Sequence, residues 1–275
     1  MFLRFLFISL GLLVCGGCVT LSPVNYADTF AASNGFAKAY ISAKSFTLLS
    51  YQKFRLSQGP VRIYIEGDGH AWETKVTLSD DPTPRANFVL ELAARDDIRN
   101  IAYLARPCQY VSCAKCSNLY WSDKRFSEEV IADMDQAVSE IKKAAGASGV
   151  ELVGYSGGGA VALLVALRRS DVLSVRTVAG NLDHRAVSKY HGISRLEGSL
   201  NPADYAQALA KLPQIHFSGK DDKVIPLSLS EDFVRKLGNV SCAKVVQVTG
   251  ASHWSGWKEQ WRTLLQEKLP CKPSD

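Results

Sequence analysis

The sequence of 275 residues lacks features that would point to several classes of protein. Its 32 lysine and arginine residues are scattered, with no run of five or more and no basic stretch interleaved with aromatic residues, which argues against nucleic acid as a partner. No internal repeat or low-complexity block is present. Since 47% of the residues are hydrophobic, a chain of this length can bury one sizeable core, and we expect a single main domain.

A long apolar run is also missing. Residues 5–14 are largely apolar, but a helix that crosses about 30 Å of hydrocarbon needs roughly 20 such residues. This run follows a positive charge at Arg4 and precedes small residues, which is the layout of a cleavable export signal. We therefore expect residues 1–17 to be a signal peptide and the rest of the chain to be exported.

The end of this segment resembles the lipobox of bacterial lipoproteins, in which a cysteine after small residues is acylated and becomes the new amino terminus. Two glycines precede Cys18 and fit that pattern, whereas Cys15 stands where leucine is usual. The resemblance implies lipidation of Cys18 and contact with a membrane through that lipid anchor. Because no aspartate follows Cys18, it also implies an outer-membrane location facing the periplasm. The alternative is an ordinary signal peptide whose cleavage site lies beside a cysteine.

Export would place the five remaining cysteines in an oxidising compartment, where disulfides persist. An odd number leaves one thiol free or paired elsewhere. The spacing of Cys113 and Cys116 also occurs in zinc sites, but only Cys108 lies close enough in the sequence to join them, so we expect no metal site. The pairing among these three cysteines stays open.

Apolar segments with strand-like patterns alternate with helical patterns along the chain. The predicted strands are 45–55, 61–66, 98–104, 149–153, 173–179, 213–218 and 243–249, and the clearest helices are 128–145 and 256–269. Such alternation is typical of an α/β fold with a mostly parallel central sheet and helices on both faces. We expect a tether and N-terminal segment at 18–40, the main domain at 41–275 and a small lid at about 181–212.

The last two predicted elements indicate one disulfide. The strand at 243–249 and the helix after it each cover roughly 20 Å, because they rise about 3.3 Å and about 1.5 Å per residue. If the helix runs back antiparallel to the strand, Cys271 returns to the level of Cys242. We therefore predict a Cys242–Cys271 disulfide.

The sequence VELVGYSGGG at 150–159 places Ser156 in a Gly-x-Ser-x-Gly motif between a β-branched run and a helical run. In that context a tight turn lifts the serine hydroxyl above the edge of the sheet, and the following helix directs its positive end at the site. Gly154 and Gly158 leave room for the turn. Because such a short motif also occurs by chance, the flanking strand and helix matter most. They make Ser156 the predicted nucleophile.

A serine hydroxyl is a poor nucleophile at neutral pH, so it needs a general base and a group that orients the base. Both should follow Ser156 in the sequence, each just past a strand. Asp221 and Asp222 follow the sixth predicted strand, and His253 follows the seventh. Either aspartate could instead cap a turn, and the histidine could be a surface residue. The order of these residue types, each just past a predicted strand, favours a Ser–Asp–His triad.

Together these segments resemble the α/β-hydrolase superfamily. The matching pieces are YIEGDGHAW at 64–72, GYSGG at 154–158, GKDDKVIP at 219–226 and GASHW at 250–254. In that family the aspartate commonly stands three residues after a glycine and three before an aliphatic–proline pair, a position that Asp222 matches and Asp221 does not. The resemblance implies the α/β-hydrolase fold over nearly all of the exported chain. Since the family usually has eight strands, an edge strand is missing from the seven predicted here.

Acyl transfer through a tetrahedral intermediate needs two preorganised N–H donors, and losing one costs about 10²–10³ in rate. One should be the backbone N–H of Gly157, directly after the nucleophile. The resemblance places the other in the loop after the second predicted strand, at Asp68 or Gly69, and we favour the backbone N–H of Asp68 over any role for its carboxylate. The usual His-Gly of this loop is Glu66-Gly67 here, and its glycines could equally form a plain turn.

The sequence therefore predicts a serine hydrolase that cleaves an acyl bond through an acyl-enzyme, with no metal or organic cofactor. Five aromatic residues lie near the predicted active-site loops: Trp72, Trp121, Tyr155, Trp254 and Trp257. They favour an apolar acyl substrate, either a small-molecule carboxylester or a lipid ester. A peptidase or amidase on the same scaffold is the second candidate, and a non-catalytic envelope lipoprotein scaffold is the third. The oligomeric state stays open.

Overall fold

The computed structural model describes residues 22–55, 58–238 and 242–272. The predicted signal peptide and Cys18 lie outside these residues. In the described part of the chain, eight strands form one sheet: β1 Ala37–Ser42, β2 Thr47–Phe54, β3 Val61–Ile65, β4 Asn100–Leu104, β5 Val150–Tyr155, β6 Val172–Val178, β7 Gln214–Gly219 and β8 Ala243–Val248. Their order across the sheet is β1-β2-β4-β3-β5-β6-β7-β8.

The sheet is mostly parallel, as predicted. β2 pairs antiparallel with β1 and β4, and all the remaining neighbours pair parallel. All seven predicted strands are present with bounds close to the predicted ones. The missing edge strand is β1, in which only Ile41 is buried. Because β1 presents most of its residues to solvent, it has no apolar pattern by which it could have been found.

Eight α-helices flank the sheet in the described residues: α1 Pro23–Ser33, α2 Phe88–Ala94, α3 Glu128–Ala144, α4 Gly157–Ala166, α5 His184–His191, α6 Ala206–Leu209, α7 Leu227–Leu237 and α8 Trp261–Leu265. Two short 3₁₀ helices lie at Asn118–Trp121 and Pro202–Tyr205. α3 begins at the predicted cap, since Ser127 Oγ accepts the Val130 N–H at 3.5 Å. Within the described ranges, no helix has the length and apolar character needed to cross a membrane.

Two apolar layers cover the two faces of the sheet. Alternate residues of β5 enter different layers: Val150 and Leu152 pack with α3 and α4, whereas Val153 packs with α1, α2 and α8. The central strands β3 and β4 are buried almost throughout. Because helices cover them on both faces, their sequences are continuous apolar runs rather than alternating ones.

The N-terminal segment packs onto the domain from an earlier residue than predicted. α1 begins at Pro23, where Ser22 Oγ accepts the Asn25 N–H at 3.3 Å. Its Ala27 and Ala31 are buried against the sheet. The predicted boundary between residues 40 and 41 falls inside β1, so the domain extends back to the start of α1.

The C-terminal helix is much shorter than predicted. A helix was expected over 256–269, but only Trp261–Leu265 is α-helical. Gly256 adopts a left-handed conformation with φ 83°, and the indole N–H of Trp257 donates to Ser252 O at 2.7 Å. These local interactions replace the first helical turns, although Trp257 and Trp261 are fully buried in the core as their spacing indicated.

The predicted lid segment, 181–212, lies between β6 and β7 and contains α5, the second 3₁₀ helix and α6. Asp183 caps α5, since its Oδ1 accepts the N–H groups of Arg185 and Ala186 at 3.1 Å each. A cavity of about 940 Å³ lies between α5 and α7, and none of the three predicted triad residues lines it. The role of this segment as a lid stays a prediction.

Two disulfides join cysteines of the described residues. Cys242 pairs with Cys271, as predicted, with their Cα atoms 5.4 Å apart, although the helix between them is shorter than the prediction assumed. Cys108 pairs with Cys116, which answers the question that the sequence left open. Cys113 is the free thiol, and its sulfur lies 3.4 Å from that of Cys116.

We expect the Cys242–Cys271 disulfide to stabilise the fold more than Cys108–Cys116, because their sequence separations are 29 and 8 residues. In the chain-entropy model, the Cys242→Ser/Cys271→Ser variant loses about 3–4 kcal/mol of unfolding free energy and Cys108→Ser/Cys116→Ser about 2–3 kcal/mol. Urea denaturation of the oxidised proteins measures both losses. Cys113→Ser, which breaks no disulfide, is the matched control. Equal midpoints for Cys113→Ser and Cys242→Ser/Cys271→Ser would contradict the prediction.

Candidate active site

Ser156 occupies a tight turn between β5 and α4. Its backbone angles are φ 49° and ψ −119°, a conformation that costs a residue with a side chain about 1–3 kcal/mol. The Ser156 N–H donates to Val178 O at 3.0 Å, and Ser156 O accepts the Asn181 N–H at 2.8 Å. The end of β6 and the loop after it therefore hold the strained turn in place.

Two glycines allow α4 to begin directly after this turn. A Cβ atom at Gly154 would lie 2.2 Å from Gly158 O, and a Cβ atom at Gly158 would lie 2.4 Å from Ile65 O. Carbon and oxygen atoms that are not bonded do not approach so closely, so neither position accepts a side chain without a shift of the backbone. The first turn of α4 consequently packs on the ends of β3 and β5.

Ser156, His253 and Asp222 form one chain of hydrogen bonds, so the structure brings together the three residues that the sequence indicated. Ser156 Oγ lies 3.1 Å from His253 Nε2, and His253 Nδ1 lies 2.9 Å from Asp222 Oδ2. The three residues come from the loops after β5, β7 and β8. With its proton on Nδ1, the imidazole donates to Asp222 and leaves Nε2 free to accept the serine hydroxyl proton.

Asp222 rather than Asp221 faces the histidine. The second carboxylate oxygen of Asp222 accepts the backbone N–H groups of Val224 and Ile225, each at 2.8 Å. These bonds fix the carboxylate, and the whole residue is buried. Asp221 is exposed, and its backbone N–H donates to Ala251 O at 2.9 Å. The aspartate that the family resemblance favoured is therefore the one that the geometry supports.

Tyr155 supports the loop that carries His253. Its hydroxyl donates to His253 O at 3.1 Å, and the two rings lie 5.5 Å apart between centroids. Burial raises the pKa of the Tyr155 hydroxyl, so it stays a donor at physiological pH. Tyr155, which precedes the predicted nucleophile, thereby links β5 to the position of His253.

Two backbone N–H groups are free at the predicted oxyanion site. Among the described residues, the amides of Asp68 and Gly157 donate to no protein acceptor, whereas the Gly67 N–H donates to Glu66 Oε1 at 2.8 Å. Gln109 Nε2 donates to Gly67 O at 3.0 Å and so fixes the peptide group between Gly67 and Asp68. This pattern fits the predicted donors, and it excludes the Gly67 amide because that group is already bonded.

The Asp68 side chain makes contacts that the sequence did not indicate. Its carboxylate oxygens lie 2.6 Å from Arg106 Nη1 and 2.6 Å from Arg125 Nη1. Burial would raise the pKa of this carboxyl, but the two guanidinium groups outweigh it and lower the pKa. A Cβ atom at Gly157 would lie 2.1 Å from Asp68 Oδ1, so the carboxylate lies against the residue after the nucleophile.

Glu66 lies under the same loop in a different environment. Its Oε1 accepts the Gly67 N–H at 2.8 Å and its Oε2 accepts the Tyr103 O–H at 2.9 Å. Burial raises its pKa from the ordinary value of 4.5 to about 7, although these two hydrogen bonds and the charge of Arg106 act in the opposite direction. Glu66 therefore stands where the α/β-hydrolase pattern usually has a histidine, and its hydrogen bonds support the loop.

The aromatic residues near the site divide into two groups. Trp121, Tyr155 and Trp257 are buried and belong to the packing of the domain. Trp72 and Trp254 are 41% and 68% exposed, and the Trp254 ring lies 5.0 Å from that of His253 between centroids. Of the five aromatic residues that favoured an apolar substrate, only these two present apolar surface to solvent.

Comparisons with known proteins give one family and several structures of similar fold. The model of the family described as serine hydrolase (FSH1) matches residues 90–253. A search of curated proteins gives no match. Est1E from Butyrivibrio proteoclasticus is 15% identical, with a TM-score of 0.58 over 83% of this chain and 98% of that one.

Two further solved structures are similar at comparable levels. Esterase Pf2001 from Pyrococcus furiosus is 13% identical, with a TM-score of 0.59 over 84% of this chain and 90% of that one. The acylaminoacyl peptidase from Pyrococcus horikoshii is 14% identical, with a TM-score of 0.60 over 91% of this chain but only 44% of that one. At these identities the likeness establishes the fold alone.

The family match includes the nucleophile turn, the acid loop and the histidine. Ser156, Asp222 and His253 all lie between residues 90 and 253, and this range is more than half of the 275 residues. The sheet order and the flanking helices are those of an α/β-hydrolase. This chain therefore belongs to the serine hydrolase (FSH1) family and is a serine hydrolase with the α/β-hydrolase fold.

Proposed function

We propose that this enzyme hydrolyses carboxylic esters through an acyl-enzyme intermediate on Ser156. The observation that carries the proposal is the chain of hydrogen bonds from Ser156 through His253 to Asp222, combined with two free N–H groups at the oxyanion site. Membership of the serine hydrolase family supplies the class of reaction. The geometry supports a defined role for each of these groups.

In the proposed mechanism, Ser156 Oγ attacks the acyl carbon while His253 Nε2 takes its proton. Asp222 keeps the imidazole in the productive orientation and stabilises the imidazolium that forms. The carbonyl oxygen becomes an oxyanion, which accepts the N–H groups of Gly157 and Asp68. His253 then gives the proton to the leaving alcohol. A water molecule repeats the attack on the acyl-enzyme and releases the acid.

The surroundings of the reacting atoms favour a substrate with an apolar acyl or alcohol group. Trp254 presents an exposed apolar ring beside His253, where an acyl or alcohol group can pack. One structure of similar fold is an esterase from P. furiosus. The P. horikoshii structure, an acylaminoacyl peptidase, supports the second candidate, but this chain matches less than half of that protein.

Labelling with a fluorophosphonate probe tests the nucleophile and its activation. We expect the wild-type enzyme to be labelled and Ser156→Ala and His253→Ala to lose labelling, because only an activated serine attacks the probe. Asp222→Asn should slow turnover by about 10⁴-fold, since it allows the wrong histidine tautomer. The matched control is Asp221→Asn, an exposed neighbour that makes no contact with His253 and should keep wild-type turnover.

The outcomes separate the candidate functions. Comparable losses in Asp221→Asn and Asp222→Asn, or labelling that survives in Ser156→Ala, would contradict the proposed triad. A folded wild-type protein that is not labelled would favour the non-catalytic scaffold. Faster turnover of a p-nitroanilide than of the matched p-nitrophenyl ester would favour the peptidase or amidase.

The raised pKa of Glu66 predicts a pH dependence of stability. The folded protein binds the Glu66 proton more tightly than the unfolded chain does, so stability falls as the pH rises from about 4.5 to about 7. The contribution of Glu66 to the unfolding free energy falls by about 3 kcal/mol over this range. Glu66→Gln mimics the protonated acid and should remove this pH-dependent contribution. Unfolding free energies of the variant, measured by urea denaturation at about pH 5 and about pH 8, should therefore differ less than those of the wild type. Glu128→Gln, at an exposed position, should keep the wild-type difference, and an equal difference in Glu66→Gln would contradict the assignment.

The location proposed for the enzyme is the periplasmic face of the outer membrane, with acyl chains on Cys18 as the anchor. The two disulfides of the described residues are consistent with an oxidising compartment. We expect radiolabelled palmitate to enter the protein in a bacterial host and Cys18→Ser to abolish incorporation. Cys113→Ser, which removes the free thiol, is the control. Equal labelling of the two variants would rule out acylation of Cys18.

A further inference from the structure

The carboxylate of Asp68 lies between two arginine side chains at the oxyanion end of the active site. Arg106 and Arg125 each place an Nη1 atom 2.6 Å from one of its oxygens. The side chains of Asp68, Arg106 and Arg125 are 24%, 4% and 14% exposed, so this ion-pair cluster is largely shielded from water. The proposed reaction uses only the backbone of Asp68, and the cluster needs a separate explanation.

A negative charge at this position would by itself oppose catalysis. Asp68 Oδ1 lies against Gly157, whose N–H is one of the two proposed oxyanion donors. The carbonyl oxygen of the substrate gains negative charge at the same place, and charges of one sign repel more strongly where water is excluded. Two cations paired with one carboxylate reverse the sign of the local charge. The cluster then has a net positive charge beside the developing oxyanion.

Both arginine side chains are held by contacts other than those with Asp68. Their positions therefore do not depend on Asp68, and they can fix its carboxylate. Arg106 Nη2 donates to Arg125 O, and the Arg106 guanidinium lies over the Phe126 ring at 5.0 Å from its centroid. Arg125 Nε donates to Ser122 O at 2.7 Å.

The loop after β4, which carries Arg106, also holds the peptide group between Gly67 and Asp68. Gln109 accepts the Arg106 N–H at 3.0 Å and donates to Gly67 O at 3.0 Å. The Cys108–Cys116 disulfide ties this loop to the chain that leads to Arg125. Side chains from outside the oxyanion loop therefore hold both its backbone and its carboxylate.

We propose that Arg106 and Arg125 are positioning residues that fix Asp68 with its backbone N–H directed at the oxyanion and offset the charge of its carboxylate. This inference rests on the proposed hydrolase mechanism. Neither arginine takes part in bond making or breaking. Their effect is on the transition state, in which the oxyanion is fully developed, so losing one should lower kcat and leave KM nearly unchanged.

Steady-state kinetics with p-nitrophenyl butyrate test the proposal. Arg125→Gln should lower kcat about 10- to 100-fold, which is less than the loss of a complete oxyanion donor. Its KM should change less than about threefold, and Arg125→Lys, which keeps the charge, should recover part of the loss. Arg168→Gln removes an arginine from an exposed ion pair with Glu128 and should keep wild-type kinetics.

The Asp68→Asn variant distinguishes positioning of the oxyanion loop from an effect of the Asp68 charge alone. It removes a negative charge and keeps the shape of the side chain, so charge alone would raise kcat. If the ion pairs hold the loop, kcat falls instead. The loss of kcat in the Asp68→Asn/Arg125→Gln double variant is then smaller than the product of the two single losses, because both substitutions remove the same interaction. A kcat for Asp68→Asn at or above the wild-type value, or a kcat for Arg125→Gln within about twofold of it, would overturn the proposal.

Two controls keep the outcomes separate. Urea midpoints show whether each variant is folded, and if Arg125→Gln is not, the isosteric Asp68→Asn decides the question. Fluorophosphonate labelling of the wild type and of Ser156→Ala tests the hydrolase mechanism itself. Failure of that labelling overturns both proposals, whereas normal labelling with unchanged arginine variants overturns only the positioning role.

Discussion

The packing of the first turn of α4 on the backbone at the ends of β3 and β5 is the contact on which the rest of the active site depends. Because Gly154 and Gly158 have no side chains, carbonyl groups of β3 and of α4 itself approach their Cα atoms directly. A side chain at either position would push α4 away from the oxyanion loop. The strained turn at Ser156 and the two free N–H groups are close together only as long as this contact persists.

The parallel part of the sheet brings the remaining parts of the site to the same edge. The loops after β3, β5, β7 and β8 supply the proposed oxyanion donor, nucleophile, acid and base, and all of them leave the carboxyl ends of parallel strands. The loop after β4 adds Arg106 and Gln109, which contact the loop after β3. Since β3 and β4 are neighbours in the sheet, this contact needs no long side chain to cross another strand.

The sequence identifies the residues whose chemistry requires a particular amino acid just after a strand. It misses the residues that act through contacts with segments far away in the sequence. The triad and the oxyanion loop follow recognisable strands and lie in short motifs. Arg106 and Arg125 lie in no motif, and their importance appears only when β4 is placed beside β3. The shortened α8 has a similar cause, because the left-handed Gly256 and the indole of Trp257 end a pattern that is helical in spacing. β1 has too few buried residues to give any pattern.

The two carboxyl groups of the oxyanion loop show why burial alone does not determine charge. Glu66 accepts two hydrogen bonds but, within the described residues, forms no ion pair, so burial prevails and its pKa rises to about 7. Asp68 pairs with two guanidinium groups, which outweigh burial and lower its pKa. Below about pH 7 the loop therefore combines a protonated Glu66 with an Asp68 whose charge is exceeded by its two partners. A loop that reads Glu-Gly-Asp-Gly in the sequence thus provides an environment that favours a developing anion.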